Sequence, residues 1–166
     1  SYQINLNTAS EIITIEGPVI LHADSNLRIQ DNSAAQIIIK PTGSLLLIVD
    51  RDFRVDADGG GIDNQTLDPM KCIILLKRVG ADTFNYSDTT QPFYGVIYLP
   101  DSSSTFNVGN NVEIMGAIYA QTLTFGTGVK LHYDTNLSTA AIPGVEPACI
   151  IVDWRELSDV TERASL

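Results

Sequence analysis

The chain has 166 residues, 44% hydrophobic and 18% charged, which suits one domain with a sizeable core and excludes a disordered segment. Twenty acidic against ten basic residues leave a net charge of −10, so neither nucleic acid nor an anionic membrane surface is expected as a partner. No apolar run approaches the length of a membrane span, and "SYQINLNTAS" has neither the basic nor the apolar region of a signal peptide. Direct membrane insertion of this piece is therefore not expected. Ile4 and Leu6 already alternate at the start, the pattern of a fragment whose targeting segment lies elsewhere.

In chain order, the first strand-like segments are "EIITIEG" (11–17), "PVILHA" (18–23), "NLRIQ" (26–30), "AQIIIK" (35–40), "SLLLIVD" (44–50) and "DFRVDA" (52–57). Ile, Val, Leu and Phe dominate them, often alternating with polar residues. The run "DADGGGIDNQTLD" (56–68) breaks the pattern and reads as a long polar loop with a flexible tip at Gly59 to Gly61. "KCIILLKR" (71–78) resumes it, and "GADTFNYSDTTQP" (80–92) reads as a second long loop. Then come "GVIYLP" (95–100), "STFNVG" (104–109), "NVEIMG" (111–116), "AIYA" (117–120), "TLTFG" (122–126), "GVKLHYD" (128–134) and "ACIIVDW" (148–154). Helical spacing occurs only after Trp154, at Leu157 and Val160. The chain is all-β in pattern.

A short-range repeat separates the all-β architectures. "TFNVGNNVEI" (105–114) aligns on "TLTFGTGVKL" (122–131), placing Phe106 on Leu123, Val108 on Phe125, Val112 on Val129 and Ile114 on Leu131. GVIY (95–98) recurs as GAIY (116–119), and "NLRIQDN" (26–32) is echoed by "DFRVDAD" (52–58), with Leu27 on Phe53 and Ile29 on Val55. Repeats of about 17 to 26 residues indicate stacked coils, each unable to bury its apolar side chains alone. A sandwich or barrel has no reason to repeat a turn-flanked unit so soon. The expected fold is a right-handed parallel β-helix with short coils over residues 1–157, followed by a polar tail or cap, helical or extended, over 158–166.

The phrases "FYGVIY" and "MGAIYA", the glycine-turn strands after each, and "KLHYDTNL" carry a resemblance spanning residues 45 to 137. This region resembles the uncharacterised β-helical domain that follows a prepilin-like segment in bacterial type IV pilus assembly-associated proteins. It departs at "YLPDSSSTF", where that family has Ala-Pro and a short polar segment. A weaker similarity is to the bactofilins, short-coil β-helices that polymerise end to end. The resemblance implies a bacterial envelope or extracellular domain, with protein partners in a pilus or envelope assembly, and implies no catalytic residue.

Candidate chemistry is sparse. Asp50, Asp52, Asp56, Asp58 and Asp63 form an acidic run that reads as a solvated face and turn, with at most a weak calcium site at Asp56 and Asp58. Arg28 and Arg54 occupy equivalent places in the repeat, the nearest thing to a basic feature for an acidic glycan. His22 and His132 lack an accompanying nucleophile motif and read as structural or surface residues. Ser102 to Ser104 lack the setting of an activated serine, and "GTGVK" lacks the helix of a phosphate loop. Cys72 and Cys149 lie in apolar runs as buried thiols, a pairing between them left open, and neither has metal-ligand spacing. No catalytic, cofactor or metal residue is assigned. The expectation is a non-enzymatic structural or display module. A carbohydrate-binding or carbohydrate-active β-helix and a self-assembling scaffold are the alternatives; a terminal coil covered by Trp154 and the tail fits the display module, and a bare one fits end-to-end assembly.

Overall fold

Alternation of side chains builds the sheets. Along 45–49, Leu45, Leu47 and Val49 are buried while Leu46 and Ile48 are only half-buried, the period of two that an extended strand imposes. The computed structural model describes residues 2–8, 11–30, 36–56, 60–77, 84–87, 91–101, 103–135 and 137. Among these, fifteen strands form three sheets in which every pairing is parallel.

The first rung comprises β1 (Ile4–Leu6), β2 (Ile12–Ile15) and β3 (Pro18–Ala23). The second comprises β4 (Leu27–Ile29), β5 (Gln36–Ile39) and β6 (Ser44–Val49), and the third β7 (Phe53–Val55), β8 (Ile62–Asn64) and β9 (Cys72–Leu76). Three two-stranded rungs follow: β10 (Phe84–Tyr86) with β11 (Phe93–Leu99), β12 (Thr105–Val108) with β13 (Glu113–Ala120), and β14 (Thr122–Phe125) with β15 (Lys130–Tyr133). The first sheet runs β1-β4-β7-β10-β12-β14, the second β2-β5-β8, and the third β3-β6-β9-β11-β13-β15. The chain is a parallel β-solenoid.

The repeats set the register. Phe106 pairs with Leu123 and Val108 with Phe125; Gly95, Val96, Ile97 and Tyr98 pair with Gly116, Ala117, Ile118 and Tyr119; Leu27 pairs with Phe53 and Ile29 with Val55. Inward positions therefore stack into columns, one of them Leu27, Phe53, Phe84, Phe106 and Leu123, the first four fully buried. Burying each such side chain is worth about 1.5–3 kcal/mol, so the stack and not any single rung provides the stability.

Two expectations need correction. The segment 80–92 is not only a loop, because β10 lies within it, with Phe84 and Tyr86 fully buried. The segment 56–68 likewise contains β8, with Ile62 and Asn64 buried. Both strands have three residues, and their polar flanks conceal them. "NVEIMG" and "AIYA" prove to be one strand, β13, which passes through Gly116 (φ +147°), where a Cβ would collide with the Gly95 carbonyl. A 3₁₀ turn spans Pro69–Lys71, its start capped by Asp68 accepting from the Met70 N–H at 2.9 Å. The expected strand 148–154, Cys149, Trp154 and the tail 158–166 lie outside the described residues, as do Asp58, Gly59 and Ser102.

Among the described residues the second sheet ends at β8, and the cross-section narrows from three sides to two. An edge strand turned toward the interior needs partners for its polar groups. The Ile62 N–H donates to the Tyr86 hydroxyl at 3.3 Å, and the Tyr86 ring meets Phe93 at 5.0 Å. Asn64 (1% exposed) donates to the carbonyls of Asp68 and Tyr94, both at 2.9 Å, and accepts from the Thr66 N–H and hydroxyl. Tyr86→Phe removes one of these closures while keeping the ring. Its expected cost is about 1 kcal/mol, read as a lower urea midpoint at unchanged slope.

Candidate functional site

The acidic run resolves into separate pairs. Arg28 Nη2 meets Asp52 Oδ2 at 2.7 Å, and Arg54 Nε meets Asp56 Oδ1 at 2.7 Å. Gln30 Nε2 donates to the other Asp56 oxygen at 3.2 Å, and Gln65 Nε2 to Asp63 Oδ2 at 2.7 Å. Asp50 pairs with His22 across 3.0 Å. Arg28 and Arg54 do sit in register, as their equivalent places require, but each guanidinium already faces a carboxylate. Their charge is compensated at the protein's own surface and offers little to an acidic glycan. Asp56 has a donor on each oxygen, and Asp58 lies outside the described residues. Among the described residues no three His, Cys, Asp or Glu side chains converge to hold a metal.

His132 lies one rung from Met115 in register, and its Nε2 meets Glu113 Oε1 at 2.9 Å, with the imidazole half exposed. Beside this pair is an open cleft of about 340 Å³, lined by Pro69, Tyr94, Met115, His132, Tyr133 and Asp134 among others. The missing Cβ of Gly116 keeps this space open, since a Cβ there would also crowd the Pro69 ring at 3.2 Å. Aromatic, apolar and polar side chains share this lining. Sequence reasoning missed this cleft because its walls come from the 3₁₀ turn and from three late rungs, joined only by folding. Its signal was the paired glycine in GVIY and GAIY, read there only as a repeat.

Ser103 and Ser104 donate to Asp101, which makes this serine turn a local hydrogen-bonded loop. "GTGVK" leads into β15, with Gly128 at φ +73° in the turn. Cys72 is fully buried, and burial pushes its thiol up to about 12, which makes it a poor nucleophile.

Among the described residues the stack ends at β14 and β15. Phe125 and Leu131 lie in register with the buried Val108 and Ile114, so both occupy inward positions, yet they are 48% and 41% exposed. Among the described residues no further rung covers these columns or pairs with the last strands, which leaves an apolar surface at this end.

Millimolar calcium is expected to leave the melting temperature unchanged, because binding at Asp56 would displace both Arg54 and Gln30. Thermal unfolding with and without the ion checks this, and an upward shift would show that the carboxylate gives up its present donors.

No curated protein and no solved structure matches the chain. Residues 2–140, which include every described strand, match the family described as Domain of unknown function (DUF7305), and the chain belongs to that family.

Proposed function

We propose that this domain is a non-enzymatic structural or display module of a bacterial cell-envelope or extracellular protein, associated with a pilus or secretion assembly. The observation that carries the structural part is the continuous parallel stack, whose six-stranded first and third sheets share one apolar interior. Such a body resists bending because each rung is hydrogen-bonded to its neighbours, so it can hold a surface at a fixed distance from an anchor. The compensated Arg–Asp pairs and net charge of −10 favour a well-solvated exterior. The envelope assignment rests on the resemblance carried by "FYGVIY", "MGAIYA" and "KLHYDTNL". Among the described residues no helix is long and apolar enough to cross a membrane, so the anchor in this reading belongs to another part of the protein. A membrane-impermeant amine reagent applied to intact producing cells should label the domain. Labelling only after lysis would overturn the envelope placement.

The open terminal rung favours a second reading, a self-assembling scaffold. Phe125 and Leu131 would be buried by another chain placed against that end. In this reading sedimentation velocity shows larger species as concentration rises, and Leu131→Lys returns them to single chains. A constant single-chain mass across the concentration range removes it.

A further inference from the structure

One wall of the cleft comes from the corner after β8, through Leu67 and Pro69. The facing wall comes from the three later rungs, where Tyr94 pairs with Met115 and Met115 with His132. One column of the third sheet thus presents a phenol ring, a thioether and an imidazole. In the next row Gly95 and Gly116 lie in register without side chains, and Tyr133 follows them in the last rung.

Leu67 is the residue whose placement needs a reason. Its φ is +56°, in the left-handed region, and it is 63% exposed. Asn111 shares that conformation at φ +57°, but asparagine adopts it readily and leucine does not. Glycine at this position would relieve the backbone, and an exposed leucine gains little burial in return. The turn nevertheless holds it in place. The Leu67 N–H donates to the Asn64 carbonyl at 3.2 Å and the Asp68 N–H to the Thr66 hydroxyl at 3.1 Å. Asn64 Nδ2 ties the same turn to the Tyr94 carbonyl of β11. A strained residue that the surroundings fix, and whose side chain the core does not use, points to a role for that side chain.

The lining selects a class of ligand. Leu67, Pro69 and Met115 offer apolar contact, Tyr94 and Tyr133 aromatic rings, and Asp134 a carboxylate, with Glu113 bonded to His132 beside them. Among the described residues no Lys or Arg lines the cleft; Lys130 is in register with Glu113 but stands outside the lining. On a chain of net charge −10 such a site disfavours anions and attracts cations, which aromatic faces also attract. A ring suits contact with the Met115 thioether and the Tyr94 ring. We propose that the cleft binds a small organic cation, an ammonium group carried on an aromatic body, and that Leu67 is the apolar contact that retains it.

Phenethylammonium is the probe, and phenylacetate, the same ring carrying a negative charge, is its control. In nuclear magnetic resonance spectra of the domain with isotope-labelled methionine methyls, phenethylammonium should move the Met115 signal saturably at millimolar concentration. The Met70 signal should move far less, and phenylacetate should move neither. Leu67→Gly should keep or raise the melting temperature while weakening the probe's binding several-fold. No saturable Met115 shift, or an equal response to both compounds, overturns the proposal. So does a Leu67→Gly domain that binds the probe unchanged, or one that melts well below the native chain, since the leucine then serves stability. Nα-acetyl-lysine methylamide should bind more weakly than phenethylammonium. Tighter binding would assign the cleft to a lysine side chain of a partner protein and overturn the small-molecule reading.

Discussion

Everything in this molecule depends on each rung lying directly over the one before it. A parallel strand in the stack has its backbone groups satisfied by the strands above and below, and its inward side chains touch the same columns. Neither condition can be relaxed for one rung alone. Variation in length is therefore confined to the corners. Leu27 to Phe53 spans 26 residues and Phe106 to Leu123 spans 17, yet both pairs meet in register. The loops absorb the difference, and the strands do not.

This constraint explains what could be read from the sequence. Where two successive rungs repeat a phrase, as at GVIY and GAIY or at Leu27 and Phe53, the pairing seen in the fold is the alignment of the letters. Recognition fails where a strand shrinks to three residues between polar flanks. "FNY" (84–86) follows the same rule as "TFNV", with inward aromatic or aliphatic residues around an outward Asn, and Asn85 lies in register with Asn107. The signal was present, but Asp- and Thr-rich surroundings outweighed it. β8 was harder to see, because its last inward position is Asn64, a polar residue tolerated only because four hydrogen bonds formed by folding satisfy it.

The candidate site was less legible for a related reason. Local sequence drew attention to the acidic run, but those carboxylates are used within the surface, each facing a neighbour one or two residues away or one rung away. The Tyr94, Met115 and His132 cleft draws on residues far apart in the chain. Proximity along the chain marks partners in turns and ladders; proximity between rungs marks surfaces, and only the coil length converts one into the other. The structural reading of the domain rests on the ladder, whereas any ligand chemistry belongs to the inter-rung surfaces.

The narrowing after β8 also gives the stack a direction. A three-sided base at β1, β2 and β3 does not match the two-sided top at β14 and β15. Chains joined top to base would leave one wall of the base, β2, without a strand to meet it. Growth into a uniform fibre by simple continuation is thus geometrically mismatched, whereas like-to-like contact, top to top or base to base, matches wall for wall. The Tyr86 and Asn64 closures, which seal the end of one sheet, thereby also limit how copies can be joined.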